Sequence, residues 1–299
     1  LGAAGVAVFS SDDLPLACAL LAERFFGNPS ARLRLAGVTG TNGKTTVAHM
    51  VHGLLNAAGH RCGLIGTVTI DDGREVAHAE MTTLPAIELS RTLASMVEHG
   101  CTCAVMEVSS HALDQRRAAG LLFDAGVFTT LGSDHLDYHG TLENYAAAKA
   151  RLFELLPESA VAIVNADDPA HERMLERSRA GVVRCSKSAG DATVRITERS
   201  VDGIAVAIEG PFGSLSAEVP MTGDHNAMNL LQAACVAQAL GAGGEELRAS
   251  IGSATPPPGR LEPVRVADGA DISVFVDFAH TPDALQSTLS ALRESIRAS

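Results

Sequence analysis

Tryptophan is absent from this 299-residue chain, and tyrosine occurs only twice. Recognition of single-stranded nucleic acid leans on aromatic platforms for base stacking, so a chain with 4% aromatic residues is poorly equipped for it. Positive charge is also short: 23 Lys and Arg stand against 35 Asp and Glu, a formal net charge of −12. An acidic surface repels polynucleotide and anionic membrane alike, which excludes nucleic acid as a partner. The six cysteines, at 18, 62, 101, 103, 185 and 235, form no C-x-x-C pair, and four lie in apolar strand-like or helix-like stretches. They read as reduced core thiols, with neither a disulfide framework nor a zinc site. No apolar run reaches the roughly 18 residues of a membrane span, and no charged-then-apolar leader opens the chain. The expectation is a cytoplasmic protein without membrane insertion.

Hydrophobic residues make up 46% of the chain, ample for a large core, and the length suits about two domains. From residue 31 to about 255, strand-like and helix-like stretches alternate, which predicts an α/β fold with a doubly wound, mainly parallel sheet. Ala192–Thr222 instead reads as short strands broken by Asp202-Gly203 and Gly210-Pro-Phe-Gly213, an antiparallel flank. The stretch Asn226–Leu240 is apolar almost all round and predicts a buried helix. Thr255-Pro-Pro-Pro-Gly259 has the stiffness of a domain linker.

The most specific local signal is Thr39-Gly-Thr-Asn-Gly-Lys-Thr-Thr46, set after the apolar stretch Leu33–Val38 and before a helix predicted over Thr45–Ala58. A glycine-rich turn between strand and helix presents backbone N–H groups to a polyphosphate, the lysine neutralises charge, and a threonine hydroxyl reaches Mg²⁺. Gly40, Thr41, Asn42, Gly43, Lys44, Thr45 and Thr46 are therefore candidate ATP contacts. The pattern departs from the general phosphate loop at Val38, where glycine is usual.

Further along, an apolar stretch Cys62–Ile70 predicts the next strand, followed by Met81-Thr-Thr-Leu-Pro85 before a helix. Adjacent hydroxyls ahead of a proline most often cap a helix. Predicted strands Thr102–Val108 and Gly126–Leu131 end in Glu107-Val-Ser-Ser-His111 and Ser133-Asp-His-Leu-Asp-Tyr-His-Gly140. Open α/β sheets bind ligands at the ends of parallel strands, and ATP brings a hard cation that needs oxygen ligands. Glu107 and His135 thus become site candidates through their company. Taken singly, each would read as a structural carboxylate and a core histidine.

Together, Thr39–Thr46, Glu107–His111, Asp134–Gly140, Asn144–Phe153, Gly223–Leu230, Pro258–Glu262 and Val276–Ala284 resemble, in this order, the Mur ligase family. The segments EVSSHAL, DHLDYHG, GDHNAMN and VDFAHTPDAL carry the likeness, which runs over nearly the whole chain. Within the family the chain looks most like members that add the third residue to a muramoyl peptide. The resemblance implies an ATP-dependent amide ligase of cell-wall synthesis, working through an acyl phosphate on a UDP-muramoyl-dipeptide and an amino acid. The implied state is a monomer. Folylpolyglutamate or cyanophycin synthetases, a nucleotide-binding module that does not ligate, and a motor-type ATPase stand as alternatives.

Residue by residue, the resemblance implies that Lys44 and the loop amides hold the ATP phosphates and that Thr45 with Glu107 holds one Mg²⁺. A second Mg²⁺ would be held by His135 and by Lys149 in N-carboxylated form, on a helix predicted over Leu142–Leu156. Thr82, Thr83, Ser109, Gln115 and Arg117 match contacts to the UDP-muramoyl peptide, while Met81 stands where asparagine is frequent. Asn226 and Asn229 match the adenine side, Arg260 an arginine reaching ATP phosphate, and Asp277 a carboxylate on the ribose, with His280 beside it. The implied domains are 1–30, the tail of an N-terminal UDP-binding domain; 31–255, the central ATP-binding domain; and 256–299, the start of a C-terminal ligase domain.

Overall fold

The computed structural model describes residues 10–264, 272–279 and 282–298. Residues 1–9 of the expected N-terminal tail, and His280, lie outside them. Helix α1 (Leu14–Phe25) precedes β1 (Arg34–Thr39), α2 (Lys44–Ala57), β2 (Cys62–Ile65), β3 (Thr69–Asp71), β4 (Val76–His78), α3 (Ala86–Glu98), β5 (Cys103–Glu107) and α4 (Ser110–Asp114). Then come β6 (Ala125–Phe128), α5 (Leu136–His139), α6 (Leu142–Glu154), β7 (Val161–Asn165), α7 (His171–Leu175), β8 (Gly181–Ser186), β9 (Ala192–Arg199), β10 (Ile204–Gly210), β11 (Gly213–Val219), α8 (Asp224–Ala239) and α9 (Gly244–Ser250). A short pair, β12 (Glu262–Val264) and β13 (Val274–Val276), and helix α10 (Pro282–Ala298) follow.

Eleven strands form one sheet in the order β11-β10-β9-β8-β7-β6-β1-β5-β2-β3-β4. From β2 to β9 all neighbours are parallel, and both edges are antiparallel: β9-β10-β11 on one side and β2-β3-β4 on the other. The fold is thus the α/β, mainly parallel architecture expected, and the flank over Ala192–Thr222 forms as predicted.

The second antiparallel edge corrects the sequence reading, because the predicted strand Cys62–Ile70 is two strands. Gly66, Thr67 and Val68 turn the chain so that Ile70 pairs back onto Ile65. The cause lies far along the sequence: the Glu107 carboxylate accepts from Thr67 N at 2.7 Å, and a Cβ on residue 66 would sit 2.9 Å from Glu107 Oε1.

Central strand β1 shows why the sheet is covered on both faces. Ala36 and Val38 point into one core with Val47, Val51, Leu54 and the apolar side chains of α8, while Leu35 points into the other with Leu93, Phe123 and Leu152. Period-2 alternation between two buried faces leaves no polar position from Leu35 to Val38. Helix α2 packs Val47, Met50, Val51, Leu54 and Leu55, each at most 1% exposed, at helical spacing. Each such side chain contributes about 1.5–3 kcal/mol by leaving water. Helix α8 is buried from Asn226 to Ala237, as its all-round apolar sequence predicts. Its one fully buried amide side chain, Gln232, donates to Phe128 O at 2.7 Å and so fastens the helix to the end of β6.

The thiol reading needs one correction. All six cysteines are free and five are buried, but Cys18 is exposed on α1.

Candidate functional site

The strands β1, β5 and β6 lie side by side, with Val38 opposite both Glu107 and Val127. Their ends therefore bring the loop Gly40–Gly43, the carboxylate of Glu107 and the hydroxyls of Thr129 and Thr130 to one rim. Val38 stands at the usual glycine position because it is still in the strand and fully buried. The turn itself begins only at Gly40. Gly40 has φ 150° and Gly43 φ 87°, and Gly43 caps α2 with no side chain on the helix's first amides. Those N–H groups have no partner within the helix, which leaves them for an anion. A Cβ on Gly40 would lie 1.9 Å from Thr129 Oγ1, and one on Gly43 would lie 2.8 Å from Asn229 Oδ1. The loop is thus pressed between β6 and α8.

Lys44 Nζ donates to the carbonyls of Gly40 and Thr41, both at 3.0 Å. Burial pushes its ammonium below the usual lysine range; Arg260 adds to this, and Glu107 and Asp134 oppose it. Thr45 Oγ1 donates to Glu107 Oε2 at 3.0 Å, and Thr67 Oγ1 donates to the same oxygen at 3.0 Å. Glu107 is fully buried, yet each of its oxygens accepts at least one hydrogen bond. Beside Thr45 and Glu107, a cleft of about 200 Å³ runs along α2 past His49 and His52, with Pro257 and Pro258 of the linker on its other wall.

Lys149 comes to the same point from α6. It is 1% exposed, its Nζ donates to Gly40 O at 2.7 Å, and it stands 4.1 Å from the centre of the Tyr145 ring. Burial holds its ammonium well below the usual lysine range; neighbouring Lys44 pushes the same way and Asp134 opposes. Gly40 O therefore receives both lysines. Tyr145, one helical turn before Lys149, also meets Thr41 Oγ1 at 3.2 Å. The sequence reading missed Tyr145, although its spacing of four from Lys149 on a predicted helix was the available signal.

His135 caps α5 in a left-handed conformation, φ 53°, with its Nε2 3.4 Å from Asp134 Oδ2. It faces the rings of His111 and Tyr145 at 4.8 Å and 6.1 Å. Burial lowers the affinity of His111 for a proton, and His135 and Arg117 add to it.

The hydroxyl pair before Pro85 does not cap α3, whose N-terminus has no side-chain cap. Thr82 Oγ1 lies 3.2 Å from Thr67 Oγ1, while Thr83 Oγ1 donates to Glu107 O and accepts from Ser109 N, both at 3.0 Å. Arg117 then closes the group. Its guanidinium donates to Thr83 O at 2.8 Å and to Gln115 Oε1 at 2.6 Å, and passes 3.7 Å from Met81 Sδ. Thr82, Thr83, Ser109, Gln115 and Arg117 are thus one connected rim next to Glu107. Thr67, which the sequence reading did not single out, joins that rim to the carboxylate; a Gly-Thr pair interrupting an apolar run was its only signal.

Two residue pairs sit differently from the first-line contacts. Asn229 lies under Gly43, buried, and donates to Asn226 Oδ1 at 3.2 Å, while Asn226 donates to Thr222 O at 2.9 Å. Arg260 lies over the Phe278 ring at 5.0 Å, close enough to Lys44 to disfavour its charge. Asp277 accepts from Leu261 N at 2.7 Å, Ala279 N at 2.9 Å and Thr288 Oγ1 at 3.2 Å. Its carboxylate thereby ties the segment after Arg260 to β13 and α10. Among the described residues no three His, Cys, Asp or Glu side chains gather as a metal cluster.

The chain matches the Mur ligase middle domain over residues 38–237. It is 42% identical over 290 residues to the UDP-N-acetylmuramoyl-L-alanyl-D-glutamate--2,6-diaminopimelate ligase of Thermosynechococcus vestitus, covering 95% of this chain and 58% of that protein. The ligase of the same name from Geobacillus kaustophilus is 38% identical over 296 residues, covering 97% and 60%. A solved structure of a UDP-N-acetylmuramoyl-L-alanyl-D-glutamate--2,6-diaminopimelate ligase superposes with TM-score 0.82 at 31% identity, over 97% of this chain and 60% of that one. Folylpolyglutamate synthase of Mycobacterium tuberculosis, solved with ADP and AMPPCP, shares the fold at TM-score 0.75 and 23% identity, over 94% of this chain and 71% of that one. The chain thus spans about three fifths of the curated relatives' length. With the phosphate loop, Glu107 and Lys149 all inside the matched span, the chain belongs to the Mur ligase family and carries its middle domain.

Proposed function

We propose that this chain is the ATP-binding part of an amide ligase that joins a third amino acid to UDP-N-acetylmuramoyl-L-alanyl-D-glutamate in peptidoglycan synthesis. The proposed acceptor is 2,6-diaminopimelate, the amino acid in the relatives' names. Lys149 is the observation that carries the reading. A phosphate loop needs one lysine, yet this one has a second, fully buried, whose ammonium meets a loop carbonyl where a lysine would ordinarily seek water.

In the proposed reaction the D-glutamyl carboxylate attacks the γ-phosphorus of ATP, the bond to ADP breaks, and an acyl phosphate forms. The acceptor amine then attacks the acyl carbon, loses a proton and expels phosphate. Such transfers depend on positioning and charge neutralisation more than on covalent help from the protein. Lys44 and the first amides of α2 supply that charge at the loop, Arg260 supplies it from the linker side, and Thr82, Thr83, Ser109, Gln115 and Arg117 hold the muramoyl peptide. Asn226, Asn229 and Asp277 are assigned to the nucleoside side, through the loop and through the segment after Arg260.

Residues and cation fit at one position directly. Thr45 Oγ1 and Glu107 Oε2, 3.0 Å apart, are the hard oxygen donors Mg²⁺ takes. At His135 and Lys149 an ammonium would repel a cation, so the fit requires the carbamate. The lowered proton affinity of Lys149 favours the neutral amine, which adds to CO₂ and releases a proton. When bound, Mg²⁺ would neutralise charge building on the phosphoryl oxygens.

The proposed domain division keeps residues 31–255 as the ATP-binding domain, 1–30 as the end of a UDP-binding domain and 256–299 as the start of a ligase domain. The proposed state is a monomer, as the resemblance implies. No helix among the described residues is long and apolar enough to cross a membrane, and free cysteines suit the proposed cytoplasmic setting.

Phosphate release by the full-length protein, measured with and without each substrate, tests the reading. Release that requires both the UDP-muramoyl dipeptide and diaminopimelate is the expected result. Release from ATP alone at the same rate would mean an ATPase. Arg117→Ala should raise KM for the UDP-substrate on the order of tenfold with kcat little changed, the signature of lost uniform binding. A dominant kcat defect would move Arg117 into the chemistry.

A further inference from the structure

His135 is an exposed imidazole on a four-residue helix, held by its own left-handed backbone and by a 3.4 Å approach to Asp134. Neither restraint fixes the ring. Besides Tyr145 at 6.1 Å, the ring meets His111 edge to face, with ring centres 4.8 Å apart and planes at 84°. His111 in turn lies against Tyr138 at 4.3 Å. Tyr138 is 43% exposed, yet it is not free: its hydroxyl donates to Asp114 Oδ2 at 3.0 Å and accepts from Gln115 Nε2 at 3.4 Å. Asp114 is held from the other side, where Arg151 NH1 donates to Oδ1 at 2.8 Å. A continuous set of contacts therefore runs from Arg151 on α6, through Asp114 on α4 and Tyr138 on α5, to the His111 ring and on to His135.

We infer that Tyr138 and His111 are positioning residues, which set the ring of His135 for the cation proposed above. The inference rests on the assignment of His135 as a ligand. Its physical basis is general: an imidazole ligand binds metal well only when neighbouring groups fix its ring, and loss of such a neighbour costs on the order of 10–100-fold in metal affinity. Aromatic contact supplies the fixing here. The short helix has a separate anchor, since His139 Nε2 meets Ser110 Oγ at 3.0 Å. Removing the Tyr138 ring should therefore loosen His135 and leave α5 in place.

The test uses the 299-residue chain with ¹³C-labelled histidine rings, the His135 signal being assigned through His135→Asn. In Tyr138→Ala that signal should shift, while in Tyr138→Phe, which keeps the ring, it should stay near its original position. Titration with Mn²⁺ and a non-hydrolysable ATP analogue should then broaden the His135 signal at about tenfold higher Mn²⁺ in Tyr138→Ala than in the parent. Tyr138→Phe should stay within about threefold of the parent. A thermal midpoint for each variant separates a loosened ring from a loosened fold. An unmoved His135 signal in Tyr138→Ala, or equal shifts in both variants, overturns the inference. Failure of Mn²⁺ to broaden His135 in the parent chain refutes the ligand assignment instead, and the ring shift then decides the positioning claim alone.

Discussion

Lys149→Ala should lower amide formation by the full-length protein on the order of 10³-fold, because it removes both a charge at the phosphate loop and the oxygen donor that a carbamate would provide. Bicarbonate cannot restore a side chain that is gone, but small carboxylates such as acetate should recover part of the rate by entering the space. Near-normal turnover of the variant would end the assignment of Lys149. A second signature comes from stability. Burial lowers the folded pKa of Lys149 well below its unfolded value of 10.5, so between those two values the unfolded chain binds the extra proton. Stability from this group therefore rises with pH across that window. Lys149→Met removes the slope, and its advantage over the parent should be largest on the acid side and shrink as pH approaches 10.5. Urea unfolding at a series of pH values reads this directly, and parallel curves for the two proteins would contradict it.

Gly40→Ala should be strongly damaging. The added methyl carbon would lie 1.9 Å from Thr129 Oγ1 at φ 150°, so either the loop or the end of β6 must move. Steric overlap and backbone strain of this kind cost about 2–4 kcal/mol. The moved element also carries the carbonyl shared by Lys44 and Lys149. Calorimetry should find no ATP–Mg²⁺ binding at concentrations that saturate the parent chain, and chemical denaturation should show the lost stability. Unchanged nucleotide affinity would mean that the phosphates do not sit in this turn.

What the sequence announced was whatever depends on neighbours in the chain. The strand–turn–helix around Gly40–Thr46, the strand ends at Glu107 and His135, and the hairpins after Ala192 all follow from local patterns of apolar residues and glycines. Hidden were arrangements decided at long range. The apolar stretch Cys62–Ile70 carries no break signal strong enough to overrule its periodicity, since the turn at Gly66 exists to meet the carboxylate of Glu107. Asn229 gives no local sign that its amide lies against Gly43, a contact made by helix packing. Asp277 likewise gives no local sign of the three protein donors that its oxygens accept from. The aromatic contacts of Tyr138 went unread because a four-residue helix shows periodicity poorly.

The strand order also governs how the molecule is made. Ala36 of β1 has Ala125 of β6 as its partner, and Arg34 has Cys103 of β5. During synthesis the strand that leads into the phosphate loop therefore emerges before both of its partners and waits, with both edges unpaired, until the ribosome has delivered them. Pairing across such separations pays its loop-closure entropy before any contact rewards it, so nascent chains stopped before β6 should present the β1 edge to chaperones or to one another. The centre of the finished sheet is, on this account, the most vulnerable segment of the growing one.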